Sequence, residues 1–307
     1  MKSKIILLFF LYSFSALSQG TFDPYFYQDI LNTYLRNPGF TGIMEHPTLS
    51  FITHQEPVNA YLFGVSYQQC YDDVKGALGV SYFYRFNDVT SGIASTSHTF
   101  NAQYSPCFKL SKDVSLKPGV ELGVVIQRNK LLNSPYPFWT DYTTTYLNSN
   151  LGFVFFGKDF HVGVCGGLKG FGNAYAADIP GYPPFQQATF SFDFAANINS
   201  QDREKTWTVT PNIFYMQNQF SAYTIAGVTF HYLPLLLGLS FETNNTGNFY
   251  YIPMVGTWNK YYRISFSYNH QTAKFPGDKS YDYLELMASF AMPSGSHSTP
   301  PKFSRIF

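Results

Sequence analysis

Hydrophobic and polar residues alternate with period two along most of this chain, the mark of strands whose two faces meet different surroundings. In 61–68, Tyr61, Phe63, Val65 and Tyr67 oppose Leu62, Gly64, Ser66 and Gln68. In 114–127, Val114, Leu116, Val120, Leu122, Val124 and Ile126 oppose Ser115, Lys117, Glu121 and Gln127. Phe190, Phe192 and Phe194 oppose Ser191 and Asp193, and Tyr262, Ile264, Phe266 and Tyr268 oppose Arg263, Ser265, Ser267 and Asn269. Helical periodicity is almost absent. The pattern predicts strands over 47–54, 59–70, 75–86, 95–107, 114–128, 149–157, 159–168, 186–199, 206–217, 221–232, 234–243, 249–258, 261–271 and 281–291. Most of these exceed the roughly 5–6 residues of a globular strand and approach the roughly 9–11 of a membrane-crossing one.

An even strand count puts both chain ends on one side. The connections after even-numbered strands are short, whereas the two longest, 129–148 and 169–185, follow odd-numbered ones. Short turns on the periplasmic side and longer outer loops characterise outer-membrane barrels. The expected fold is therefore all-β: a transmembrane antiparallel β-barrel of about 14 strands with both termini periplasmic. A secreted sandwich would tolerate the same alternation. The rings at predicted strand ends, Phe83, Tyr84, Phe86, Tyr250, Tyr251, Tyr261 and Tyr262, favour the barrel, whose membrane interfaces carry aromatic girdles. Pro118 and Pro211 fall inside predicted strands, where a bulge or a strand start is expected.

Composition sharpens this picture. Aromatics make up 20% of the 307 residues and charged residues 13%, against about 25% charged in an ordinary soluble domain. Disorder is excluded, since it needs few aromatics and much charge. A net charge of +1 leaves no basic footprint for nucleic acid. At the N-terminus, Lys2 and Lys4, the apolar run Ile5–Leu11 and the ending Ala16-Leu17-Ser18 read as a secretory signal peptide over 1–18. The expected layout continues with a periplasmic or lumenal lead-in over 19–46, a barrel over 47–292 and a Pro/Ser-rich periplasmic tail over 293–307.

Catalytic chemistry finds no foothold. The seven histidines lack metal-ligand spacing, and neither H-E-x-x-H nor C-x-x-C occurs. Gly64-Val65-Ser66-Tyr67-Gln68 and Gly238-Leu239-Ser240-Phe241-Glu242 lack the last glycine of a nucleophile elbow. Gly167-Leu168-Lys169-Gly170-Phe171-Gly172 lacks phosphate-loop spacing and a following helix. Cys70, Cys107 and Cys165, an odd count beside apolar stretches, read as small buried or lipid-facing side chains. Neither an enzymatic activity, a metal nor a cofactor is expected. Arg85, Lys117, Glu121, Asp193, Arg263 and Glu285 fall on the inward phase, where they fill or solvate a polar lumen, or line a solute channel.

After the signal the chain reads Phe22-Asp23-Pro24-Tyr25-Phe26-Tyr27-Gln28, then Leu35-Arg36-Asn37-Pro38-Gly39-Phe40-Thr41-Gly42. This resembles the N-terminal signature of the PorP/SprF family of type IX secretion proteins, with Asp23, Pro24, Gln28, Asn37, Pro38, Gly39 and Gly42 carrying the match. Gly76–Ser81, the pair 150–153 and 161–164, and Tyr283–Phe290 resemble family strands, so the likeness spans about 22–291. Gly39 stands where the family usually has Ala, and the tail after Met292 is extra. The resemblance implies a non-enzymatic outer-membrane barrel that supports export or surface anchoring of client proteins. Its implied partners are a client C-terminal domain, periplasmic ring lipoproteins and outer-membrane lipid. In an anchoring role the loop 129–148, with Tyr136, Phe138, Trp139, Tyr142 and Tyr146, is the candidate docking surface, since Tyr and Trp are favoured at interface hot spots. An outer-membrane solute channel is the alternative.

Overall fold

The computed structural model describes residues 33–44, 46–56, 60–71, 75–89, 93–131, 141–171, 187–199, 207–218, 222–245, 249–259, 261–272 and 282–292. The signal, Asp23, Pro24, Gln28, Tyr136, Phe138, Trp139 and the tail 293–307 lie outside them.

Fourteen long strands follow one another: β1 Thr48–Glu56, β2 Ala60–Tyr71, β3 Gly76–Val89, β4 Ile93–Pro106, β5 Ser115–Leu131, β6 Asp141–Phe156, β7 Phe160–Phe171, β8 Gln187–Ala196, β9 Trp207–Asn218, β10 Ala222–Tyr232, β11 Leu235–Asn244, β12 Phe249–Trp258, β13 Tyr262–Gln271 and β14 Asp282–Ala291. Each pairs antiparallel with its neighbour, and β1 pairs with β14 from Thr48↔Ala291 to Gln55↔Leu284, closing the barrel. Closure removes every sheet edge, which is what a sheet in lipid requires.

The alternation sorts the side chains as predicted. On β5, Val120, Leu122, Val124 and Ile126 are exposed on the outer wall, and Arg128 and Lys130 follow them where the apolar band stops. On the inner wall, Lys117 and Glu121 are buried. Asp193, Arg263 and Glu285 are buried likewise, and Arg85 is half-buried. The predicted girdle divides, however. Phe83 points inward and packs with Ile52 and Leu62, and Tyr250 is also buried, while Tyr251 and Tyr261 are exposed. β3 runs on to Val89, so Phe83 lies inside the strand, on its lumenal phase.

Three further expectations change. The loop placed at 129–148 is largely strand: β5 reaches Leu131 and β6 starts at Asp141, so Tyr142 and Tyr146 belong to β6. Thr and Tyr favour strands, and Asp141–Leu147 sits directly opposite Lys130–Val124. Likewise β7 runs to Phe171, past the predicted end at 168. The prolines make neither a bulge nor a strand start. Pro118 faces Pro106 at a gap between the pairs Tyr104↔Val120 and Phe108↔Leu116, whose register is unchanged across it. Pro211 lies in a similar gap between Val209↔Ile198 and Asn212↔Ala195. A proline withholds one N–H, so one ladder loses a bond while the pairing phase survives. Among the described residues a register shift falls elsewhere, between Leu147↔Phe171 and Asn148↔Lys169.

Of the longest connections, 132–140, 172–186 and 272–281 follow odd-numbered strands and 197–206 follows an even-numbered one, while 57–59, 90–92 and 219–221 on the odd-numbered end are short. The end with the even-numbered connections is also where the chain enters β1 at Thr48 and leaves β14 at Ala291.

Candidate functional site

Before β1 the chain does not stay outside the barrel. A helical turn, Thr33–Arg36, leads into a 3-10 turn, Pro38–Phe40, which lies with its cap Asn37 against the inner wall of β4 to β7. The local sequence dictates this shape. Asn37 is extended (φ −134°, ψ 110°) as the residue before a proline must be, and its side-chain oxygen accepts from Gly39 N at 2.9 Å. Pro38 opens the turn, where its missing N–H costs nothing. Gly42 has φ +68°, which a side chain would strain, and a Cβ there would strike Ala77.

The wall is built to receive this backbone. A Cβ on Gly119 of β5 would fall on the Pro38–Gly39 peptide, and one on Gly152 of β6 on the Asn37 side chain. On the other side of the contact, a Cβ on Gly39 would come 2.7 Å from Val154 Cγ2 and 2.8 Å from Lys117 O. Two glycines facing each other across β5 and β6 thus make a slot that admits bare backbone, the use to which strand glycines are put where another backbone approaches.

Polar groups of the segment meet polar groups of the wall. Asn37 Nδ2 donates to Val164 O (3.3 Å), Thr41 Oγ1 to Gln103 Oε1 (2.9 Å) and Gly42 N to Gln68 Oε1 (2.7 Å). Lys117 Nζ donates to Thr41 O (2.7 Å), Ser105 Oγ to Gly39 O (3.3 Å) and Cys70 Sγ to Gly42 O (2.9 Å). Gln103 Nε2 in turn donates to Glu121, which also accepts from Asn150 Nδ2 at 2.5 Å. The buried carboxylate is therefore bonded by two amides, the condition under which such burial is tolerated. Phe40, fully buried, stands edge-on to Phe156 (5.6 Å) and His161 (5.0 Å), and His161 lies 3.2 Å from Asp193. Leu35 packs on Ile52, Leu62 and Phe83, and the Arg36 guanidinium lies 4.4 Å from the Phe214 ring centre. Among the described residues no group of three or more His, Cys, Asp or Glu could hold a metal, and the cysteines form no disulfide.

Of the signature residues, Asn37, Pro38, Gly39 and Gly42 come together in this segment, all buried. Sequence reasoning placed the segment at a periplasmic or lumenal lead-in but missed its receptors: Gln68, Gln103, Asn150, His161, Gly119 and Gly152. The inward phase of Gly119, Gly123, Gly152, Gly163 and Gly167 on three successive strands was the available signal.

One consequence concerns Gln103, whose carbonyl serves Thr41 and whose amide serves Glu121. Gln103→Leu is expected to lower barrel stability by about 1–3 kcal/mol, because a buried carboxylate loses a donor. Urea titration of the barrel refolded in lipid vesicles checks this, with Gln69→Leu, outside the network, as the reference substitution.

The comparisons with known proteins agree with this geometry. A family model described as "Type IX secretion system membrane protein PorP/SprF" matches residues 18–290. The chain belongs to this family. It is an integral outer-membrane barrel of the type IX secretion system. A search of the curated proteins finds no match. Among solved structures the PorP/SprF barrel is similar to a protein titled "CymD monoaromatic hydrocarbon channel", at 11% identity and a TM-score of 0.52 over 91% of this chain and 96% of that one. It is also similar to the Ralstonia pickettii toluene transporter TbuX, at 10% identity and a TM-score of 0.50 over 85% and 92%. At these identities the likeness is one of fold. The family match covers the lead-in as well as the strands, so the segment in the lumen is part of what the family model describes.

Proposed function

We propose that this barrel is a non-enzymatic scaffold that supports export or surface anchoring of a type IX client, engaging the client's C-terminal domain or periplasmic ring lipoproteins. The observation that supports it is the lumenal seat of Asn37–Gly42: with its own lead-in seated on fitted glycines, the barrel in this state suits a scaffold better than a wide diffusion path. In this reading the end where the chain enters β1 and leaves β14 faces the periplasm, and the connections 132–140 and 172–186 face outward. Tyr136, Phe138 and Trp139 of the connection before β6, and Tyr142 and Tyr146 of β6 itself, are then the candidate contacts for a client.

The tagged, intact barrel, purified from outer membranes, should recover a secreted C-terminal domain or a ring lipoprotein, and Trp139→Ala should weaken recovery of the former. Recovery of neither partner, together with full client secretion in a deletion strain, would sink the reading. The rival, a solute channel, is favoured by the polar inward residues Lys117, Glu121, Asp193, Arg263 and Glu285. Open-pore steps from the unmodified barrel in planar bilayers would support that rival, and silence would count against it.

A further inference from the structure

We propose that residues 33–44 are a reversible stopper: seated in the Gly119/Gly152 slot they close the pore beside β4–β7, and unseated they open a path for water and small hydrophilic solutes. This concerns the lumen alone and does not depend on which client or partner the barrel serves.

The first support is the nature of the seat. The segment is held by hydrogen bonds between its backbone or short side chains and Gln68, Gln103, Ser105 and Lys117. Each such bond is worth only about 0.5–1.5 kcal/mol net, since water replaces it when it breaks. The second is the wall itself. A permanent filling would be met most cheaply by an apolar wall, because buried ion and amide networks seldom outcompete hydrophobic packing. Here the wall behind Thr41 carries Lys117, Gln103, Glu121 and Asn150. Such a wall is satisfied by the segment in one state and by water in the other. The third is shape. The slot depends on two positions without side chains, so a single added side chain unseats the segment while the lipid-facing band stays untouched. The apolar anchor on the inner wall is confined to one short stretch, Phe40 and Ile43 against Val154 and Phe156 with Leu35 and Met44 packed beside them, and the segment joins β1 through Pro47 rather than being part of a strand.

The test uses the full chain with Cys70, Cys107 and Cys165 replaced by alanine and Thr41→Cys added. Thr41 is fully buried when the stopper is seated. Two readouts are taken on barrel whose heat-modifiable gel migration shows it folded: labelling by a bulky water-soluble maleimide, and conductance in planar bilayers. With Gly119 in place, labelling should be slow and the bilayer quiet. Gly119→Val should raise the labelling rate and the conductance several-fold together. Lys117→Met, which removes the ammonium from Thr41 O but keeps the stem, should move both readouts the same way to a smaller extent. It also keeps the test open if Gly119→Val does not fold. Folded variants that leave Thr41→Cys protected and conductance unchanged would overturn the proposal. So would an unmodified slot that already labels and conducts as fast as the variants.

Discussion

Phe40→Ala is expected to cost the folded barrel about 3–5 kcal/mol, the range for deleting a buried aromatic ring. Phe40 has no exposure, and its ring meets Phe156, His161, Ile43 and Val154. Its loss leaves a cavity between the segment and β6, because Asn37 and Gly42 are tied to the wall on either side and the backbone cannot settle into the space. Phe40→Leu, which refills much of the volume, should lose far less. Urea titration of vesicle-refolded barrel measures both. Equal, small losses for the two variants would mean that the segment adds nothing to the barrel's stability.

The second large effect lies on the opposite wall. Leu122 is 64% exposed on the outer face near the middle of β5, between Val120 and Val124. Leu122→Arg should destabilise by about 2–4 kcal/mol, the cost of a cation at the bilayer midplane on a membrane barrel. Arg128, three outward positions further along the same strand, marks where a cation is native. Moving the new arginine to Ile126 should therefore cost less, as depth decreases. A flat response to position would argue that this wall does not face lipid. The folded fraction after outer-membrane assembly, read by heat-modifiable migration, gives the comparison in cells.

The barrel itself was legible in the sequence to an unusual degree, and the reason is physical. A strand between lipid and lumen has two faces with opposite demands, so each residue records its side, as Leu116/Lys117 and Phe192/Asp193 do. Fourteen strands and their inward phase followed from that record alone. The pattern fades where both faces are wet. That is why 141–147, with its Thr and Tyr on either side, read as loop although it is paired to β5. Prolines misled for a related reason: alternation shows that Pro118 and Pro211 are in strands, but only the neighbouring strand shows that a ladder can skip a bond and keep its register.

The sequence by itself thus determined the solvent, the strand count, the inward and outward faces and the presence of a distinctive lead-in. Tertiary structure alone decided where that lead-in goes. Asn37-Pro38-Gly39 specifies a turn through local chemistry, but its seat is made by Gly119, Gly152, Gln68, Gln103 and Lys117 on four different strands. Contacts between residues 26 to 127 positions apart leave no local pattern. They come into being only when the barrel closes and brings those inward positions onto one wall.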